Sequence, residues 1–144
     1  MMSNPGNVTF ATELRVRYSE TDQMGVVYHA NYLVWCEVAR TDFIRSLGTS
    51  YADLERSGLF LAVTEANLRY HASARYDDTI RIEVWTEAVQ SRAVTFGYRV
   101  VRTGDGCNQR LATVSTRLTA LDRHGVPRTL PLDLLESLRA STGR

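Results

Sequence analysis

The chain has 144 residues, 44% hydrophobic and 23% charged, a balance that suits one folded domain and excludes a disordered chain. All 17 basic residues are arginine, so no Schiff base to an enzyme lysine can form and no phosphate-binding loop with its lysine exists. A net charge of +1 offers no general attraction to nucleic acid or to a membrane surface.

Residues 1–8 read as a flexible N-terminal tail and residues 9–144 as the domain. The opening MMSNPGNVTF has no basic segment followed by an apolar run, so no signal peptide is expected and a reducing cytoplasm is the expected location. Over residues 10–19, Leu14, Val16 and Tyr18 alternate with Glu13, Arg15 and Arg17, which is strand periodicity. Residues 20–27 form a turn containing Asp22 and Gly25. From about residue 30 to 47 no Gly or Pro interrupts an apolar-rich run, so a helix is expected, with Gly48 as its stop. Tyr32, Leu33, Val34, Trp35, Cys36, Val38, Ala39, Phe43, Ile44 and Leu47 spread around much of that helix, which predicts cover on most sides. Glu37 and Arg40, three apart, are placed to pair. The helix is too short and too charged to span a bilayer.

A short helix follows to about Arg56, opened by Thr49 and Ser50 with Asp53 in its first turn. The period then changes to two. Strands are expected over residues 59–71, 79–89, 93–102 and 110–122, with a turn or bulge at 72–78 and a hairpin turn at Thr103-Gly104-Asp105-Gly106. A terminal helix over residues 132–140 carries the stripe Leu134, Leu135 and Leu138. Four late strands on short turns imply an antiparallel sheet. The fold class is α+β: five antiparallel strands curled around one long helix.

The chemistry gathers at the turn before the long helix. A helix N-terminus presents free N–H groups and partial positive charge, here around residues 29–32. Asp22 lies seven residues before His29 across a Gly-containing turn. A carbonyl between them would be polarised by the amides, while the carboxylate attacks it or activates a water. By residue type alone, the favoured reading of Asp22 is a plain turn cap, with Tyr28 and His29 packing. Cys36 and Cys107 form no zinc or C-x-x-C spacing, and His29, His71 and His124 are scattered, so no metal site is expected.

The run Tyr18-Ser19-Glu20-Thr21-Asp22, then Gly25, Val26, Val27, Tyr28, His29, Asn31 and Tyr32, followed by Glu37, Ala39, Arg40 and Gly48, resembles the 4-hydroxybenzoyl-CoA thioesterase family. It looks nearest to the branch of short acyl-CoA thioesterases associated with the Tol-Pal system, and Arg75-Tyr76-Asp77-Asp78 extends the likeness. The resemblance implies the hotdog fold, a homodimer whose sheets continue across two protomers, often a dimer of dimers (a homotetramer), and active sites at the dimer interface. It implies Asp22 as the catalytic acid, His29 as the residue whose backbone N–H polarises the thioester carbonyl, and Tyr18 and His29 as residues flanking the acid. Asn31 and Tyr32 match its helix-start residues.

Gly25, Tyr28, Asn31 and Tyr32 are therefore expected around the substrate, and Arg92 is a candidate for the phosphates of coenzyme A because guanidinium suits phosphate geometry. No cofactor is expected; coenzyme A enters as part of the substrate. The implied activity is hydrolysis of a small or aromatic acyl-CoA. Two alternatives stand beside it: hydrolysis of acyl carrier protein thioesters, and a non-catalytic module that binds acyl thioesters or a protein.

Overall fold

The computed structural model describes residues 9–142; the expected tail over residues 1–8 and the side chain of Cys107 lie outside the described residues. In chain order the elements are β1 (Phe10–Arg15), α1 (Asn31–Ser46), α2 (Tyr51–Arg56), β2 (Phe60–Tyr70), β3 (Thr79–Val89), β4 (Ala93–Gly104), β5 (Cys107–Leu121) and α3 (Leu132–Ala140). The strands form one sheet in the order β1-β3-β4-β5-β2, every pair antiparallel. This is the five-stranded antiparallel sheet with helices of the hotdog fold.

Alternation puts Ile80, Ile82 and Val84 of β3 and Phe96, Tyr98 and Val100 of β4 on the buried face. Trp35, Cys36, Phe43 and Ile44 of α1 meet them there. Burial of each such large side chain contributes about 1.5–3 kcal/mol, which the strand period and helix stripe make possible together. Burial also pushes the Cys36 thiol up to about 12, so it packs as an apolar group. Ladder slips at Val63/Glu65, Thr86/Ala88 and Val100/Val101 mark bulges, which add bend and twist to the sheet.

Three expectations change. The first strand stops at Arg15, and Tyr18–Glu20 turn as one 3-10 segment, because the Glu20 carboxylate accepts the Arg17 backbone N–H at 2.8 Å. Helix α1 is not covered all round in the single chain: Val34 is 46% and Val38 41% exposed, beside the exposed Glu37. Arg40 does not pair with Glu37. It points inward, donating from Nε to the Tyr51 hydroxyl at 2.8 Å and from Nη1 to the Tyr98 hydroxyl at 3.0 Å. This buried cation is thus solvated by hydroxyls from α2 and β4, and Tyr98 in turn meets Thr116 Oγ1 of β5 at 2.6 Å.

The helix ends follow their residues. Gly48 closes α1 at φ 97°, and Ser50 caps α2 by accepting the Asp53 N–H at 3.1 Å. Leu134, Leu135 and Leu138 of α3 are buried, and α3 packs on β3. None of the described helices is long and apolar enough to cross a membrane.

Candidate active site

The site begins as a turn. Thr21 bridges Val27, the Asp22 N–H donates to the Val26 carbonyl at 2.8 Å, and the Gly25 N–H donates to the Asp22 carbonyl at 3.0 Å. Gly25 sits at φ 80°, a conformation the tight turn requires and side chains disfavour. Asp22 closes the turn from inside: its Oδ1 accepts the Met24 N–H at 2.8 Å and the Val26 N–H at 3.4 Å. Among the described residues, Oδ2 has no partner. One oxygen is therefore spent on orientation and the other faces outward.

Helix α1 supplies the opposite side. The Tyr28 N–H is taken by the Glu20 carbonyl and the Asn31 N–H by the Tyr28 carbonyl, each at 2.9 Å. The Tyr32 N–H reaches the His29 carbonyl at 3.4 Å. No side chain caps the helix at Ala30. Among the described residues, this leaves the backbone N–H groups of His29 and Ala30 without an acceptor, which narrows the free donors to two. The His29 carbonyl also accepts the Tyr70 hydroxyl at 2.9 Å, pinning that peptide to β2.

Asp22 and His29 line one cavity of about 330 Å³ with Val26, Val27, Tyr32, Tyr70, His71, Ala72 and Ser73. Tyr32 is 2% exposed; its hydroxyl accepts the Ala74 N–H at 3.0 Å, and burial raises its pKa. His71, on the far wall, meets Thr113 Oγ1 at 2.9 Å, and its pKa is lowered by desolvation and by the charges of Arg110 and Arg69. Asp22 and His29 themselves are exposed in the single chain, so the site is open.

A larger groove, about 570 Å³, is lined by Arg69, His71, Trp85, Glu87, Arg110 and neighbours. It has no acid facing free amides, so size does not decide here. The cavity of Asp22 is lined by both that carboxylate and His29.

The remaining expected site residues fall as follows. Asn31 is a fastener: its Nδ2 donates to the Glu20 carbonyl at 2.9 Å. Tyr28 is 50% exposed with its ring 4.6 Å from the His29 ring. Tyr18 is 77% exposed, stacks edge-on against Tyr76 at 5.8 Å, and does not line the Asp22 cavity. Arg92 lines a separate cavity with Gln90, Arg117 and Pro127, which shares no residue with that of Asp22. Arg75 is nearer, bridging Val26, and with Arg102 it lines a cavity that adjoins the site through Ala72 and Ser73. Among the described residues, no group of three or more His, Cys, Asp or Glu is placed to hold a metal.

Glu20 was not singled out from sequence. It is buried, with Oε2 accepting the Trp35 indole N–H at 2.9 Å. Burial raises its pKa, but the Arg17 backbone, the Trp35 indole and the Arg17 guanidinium outweigh that and hold it below the usual glutamate value. Its position two residues before Asp22 was the available signal.

Comparison with known proteins identifies the family of the chain. The family described as the thioesterase-like superfamily matches residues 16–138. YneP of Bacillus subtilis is 44% identical over 88 residues, spanning 61% of this chain and 64% of that protein, so less than two thirds of that relative's length is matched. The acyl-CoA thioesterase YbgC of Haemophilus influenzae is 36% identical over 94 residues, spanning 65% of this chain and 69% of that one. The crystal structure of the DHNA-CoA thioesterase from Staphylococcus aureus is 35% identical with a TM-score of 0.78, covering 85% of this chain and 81% of that one.

Proposed function

Since the chain belongs to the thioesterase-like superfamily, we propose that it is an acyl-CoA thioesterase and that Asp22 and the start of α1 carry the reaction. The observation that carries this reading is one cavity lined by a carboxylate with a free oxygen and by a residue with a free backbone amide. The thioester carbonyl oxygen docks on the His29 N–H, with the Ala30 N–H beside it. Charge that develops on that oxygen meets donors already fixed by the helix.

Asp22 Oδ2 then acts in one of two ways. As base it takes a proton from water while the water oxygen bonds to the carbonyl carbon; as nucleophile it bonds to that carbon itself, giving an anhydride that water opens. On either route the C–S bond breaks, the thiolate of coenzyme A leaves with its electron pair and is protonated, and the acyl group departs as the free acid. The chain's own residues supply every group these steps need, and coenzyme A takes part only as the leaving group of the substrate.

The acyl group we infer is small or aromatic, to suit a cavity of about 330 Å³ walled by Val26, Tyr32 and Tyr70. The homodimer implied by the sequence resemblance is part of the same reading. Strand β2 is a sheet edge, and Val63 on it is 51% exposed, which supports pairing of two β2 edges into one continuous sheet. A second reading, an acyl carrier protein as the thiol partner, is favoured by Arg75 and Arg102 beside the cavity, since a carrier docks by acidic surface. A pure binding module has no need for an unspent carboxylate oxygen there.

The test is thiol release from a panel of aliphatic and aromatic acyl-CoAs and the matching acyl carrier protein thioesters. Turnover of at least one acyl-CoA supports the proposal. Turnover of carrier thioesters alone moves the assignment to the second reading, and silence on every thioester leaves the binding module.

A further inference from the structure

Glu20 is a charged turn residue that the fold has buried. Its side chain is 7% exposed, against 73% for its ion-pair partner Arg17. Oε1 accepts the Arg17 N–H at 2.8 Å and Oε2 the Trp35 indole N–H at 2.9 Å. Its carbonyl oxygen accepts the Tyr28 N–H and the Asn31 Nδ2, each at 2.9 Å. A single residue thus ties together the exit of β1, the peptide just before His29, the first residue of α1, and Trp35 one turn further along.

Those are the points that fix the two halves of the site. Asp22 follows Glu20 by two residues and its turn returns to Tyr28 through Val26 and Val27. His29 follows Tyr28 directly. The carboxylate half of Glu20 locks the turn to α1 through Trp35, and the carbonyl half locks Tyr28, the residue before His29, to the turn. Trp35 is 1% exposed and stacks on Tyr32 at 5.0 Å, and the Tyr32 hydroxyl holds the Ala74 N–H beside the cavity wall. The clamp therefore reaches both sides of the cavity. Bonds to a carboxylate are stronger than neutral ones, and here the Arg17 backbone N–H and the Trp35 indole both meet a buried one.

We propose that Glu20 is the positioning residue of this site: through Trp35, Tyr28 and Asn31 it sets the separation between the Asp22 carboxylate and the His29 amide, and so the rate of the chemical step. The proposal rests on the reading of Asp22 and His29 given above. A misplacement of about 1 Å in a reacting group can cost on the order of 100-fold in rate.

The test compares Glu20→Gln, Trp35→Phe and the double variant, with Asp22→Asn beside them, by thiol release from the best acyl-CoA of the panel. Each protein is assayed well below its own unfolding midpoint, with folding checked by circular dichroism. Glu20→Gln keeps the shape but places an amide group against donors, so kcat should fall roughly 10- to 100-fold with KM within about twofold of wild type. Trp35→Phe should move in the same direction, and the double variant should be no slower than the slower single, because both break one clamp.

Wild-type kcat in folded Glu20→Gln, or a loss confined to KM or to the unfolding midpoint, overturns the proposal while an inactive Asp22→Asn leaves the site assignment standing. If Glu20→Gln does not fold, wild-type kcat in Trp35→Phe overturns it. An active Asp22→Asn overturns the site assignment itself.

Discussion

Asp22 and Asp122 sit in turns of the same form and differ in what meets Oδ2. Each begins an Asp-x-x-Gly-Val run. Each donates its N–H to the Val four residues on, at 2.8 Å and 2.9 Å respectively. Each accepts two amides on Oδ1: Met24 and Val26 for Asp22, His124 and Val126 for Asp122. The Oδ2 of Asp122 is then taken by Arg128, at 3.0 Å from Nε and 2.8 Å from Nη2. The Oδ2 of Asp22 has no partner among the described residues. The same local chemistry thus spends both carboxylate oxygens in one place and leaves one oxygen without a partner, among the described residues, in the other.

The pair predicts a separation of effects. Asp122→Ala removes an ion pair and the oxygen that accepts two backbone amides, so it should lower the unfolding midpoint and leave thiol release per folded molecule unchanged. Asp22→Ala should cost a comparable fall in midpoint and remove turnover. Thermal unfolding followed by circular dichroism, with assays on the same samples, checks both.

Gly25→Ala should damage the turn without a clash. The added Cβ would find only Arg75 Nη1, 4.0 Å away, but φ is 80°. The conformational cost is about 1–2 kcal/mol. If the turn relaxes to avoid it, Asp22 moves. Both a lower denaturation midpoint and a lower kcat are expected, and Gly25→Asn should recover part of each, because asparagine tolerates this region better.

Gly97→Ala should cost stability alone. A Cβ on Gly97 would lie 2.6 Å from the Trp85 ring and against the Glu87 carboxylate, on a strand that contributes no residue to the Asp22 cavity. Overpacking of this kind costs roughly 1–3 kcal/mol. Urea unfolding should show the loss, and kcat measured in the folded range should stay at the wild-type value.

Acid should weaken the fold partly through Glu20. Its carboxyl is held below its ordinary value of 4.5, so the folded state binds its proton less readily than the unfolded chain. The stability it contributes is present above that ordinary value and is lost as pH falls through the lower folded value. From about pH 5 to about pH 3 the wild type should lose more of its unfolding midpoint than Glu20→Gln, which has no proton to gain there. Parallel melts across that range decide it.

The strands were legible because period two is a local signal: in sequence Ile80, Ile82 and Val84 alternate with Arg81 and Glu83, and Val94, Phe96, Tyr98 and Val100 fall two apart. So were the turn at Gly25 and the start of α1, since a Gly-containing turn followed by an unbroken apolar helix needs no tertiary knowledge, whereas residue type alone leaves Asp22 as a turn cap. Glu20 was not legible, because a charged residue in a turn reads as solvated until Trp35 arrives from one turn inside α1. Arg40 was misplaced for the same reason; its spacing from Glu37 says nothing of the hydroxyls of Tyr51 and Tyr98 that draw it inward. Nor does local sequence show that the Tyr70 hydroxyl would pin the His29 carbonyl from β2. Each of these contacts joins residues on different elements.

The measurement that bears most directly on the central claim is kcat of Asp22→Asn on the preferred acyl-CoA, on protein shown to be folded. Asparagine keeps the oxygen that accepts Met24 and Val26 and removes the unspent carboxylate oxygen, so the turn should survive and the chemistry should not. A fall in kcat of roughly 100-fold or more with KM little changed is the predicted result. A kcat within about threefold of wild type would contradict the assignment, because general acid–base work is worth about 100- to 10,000-fold.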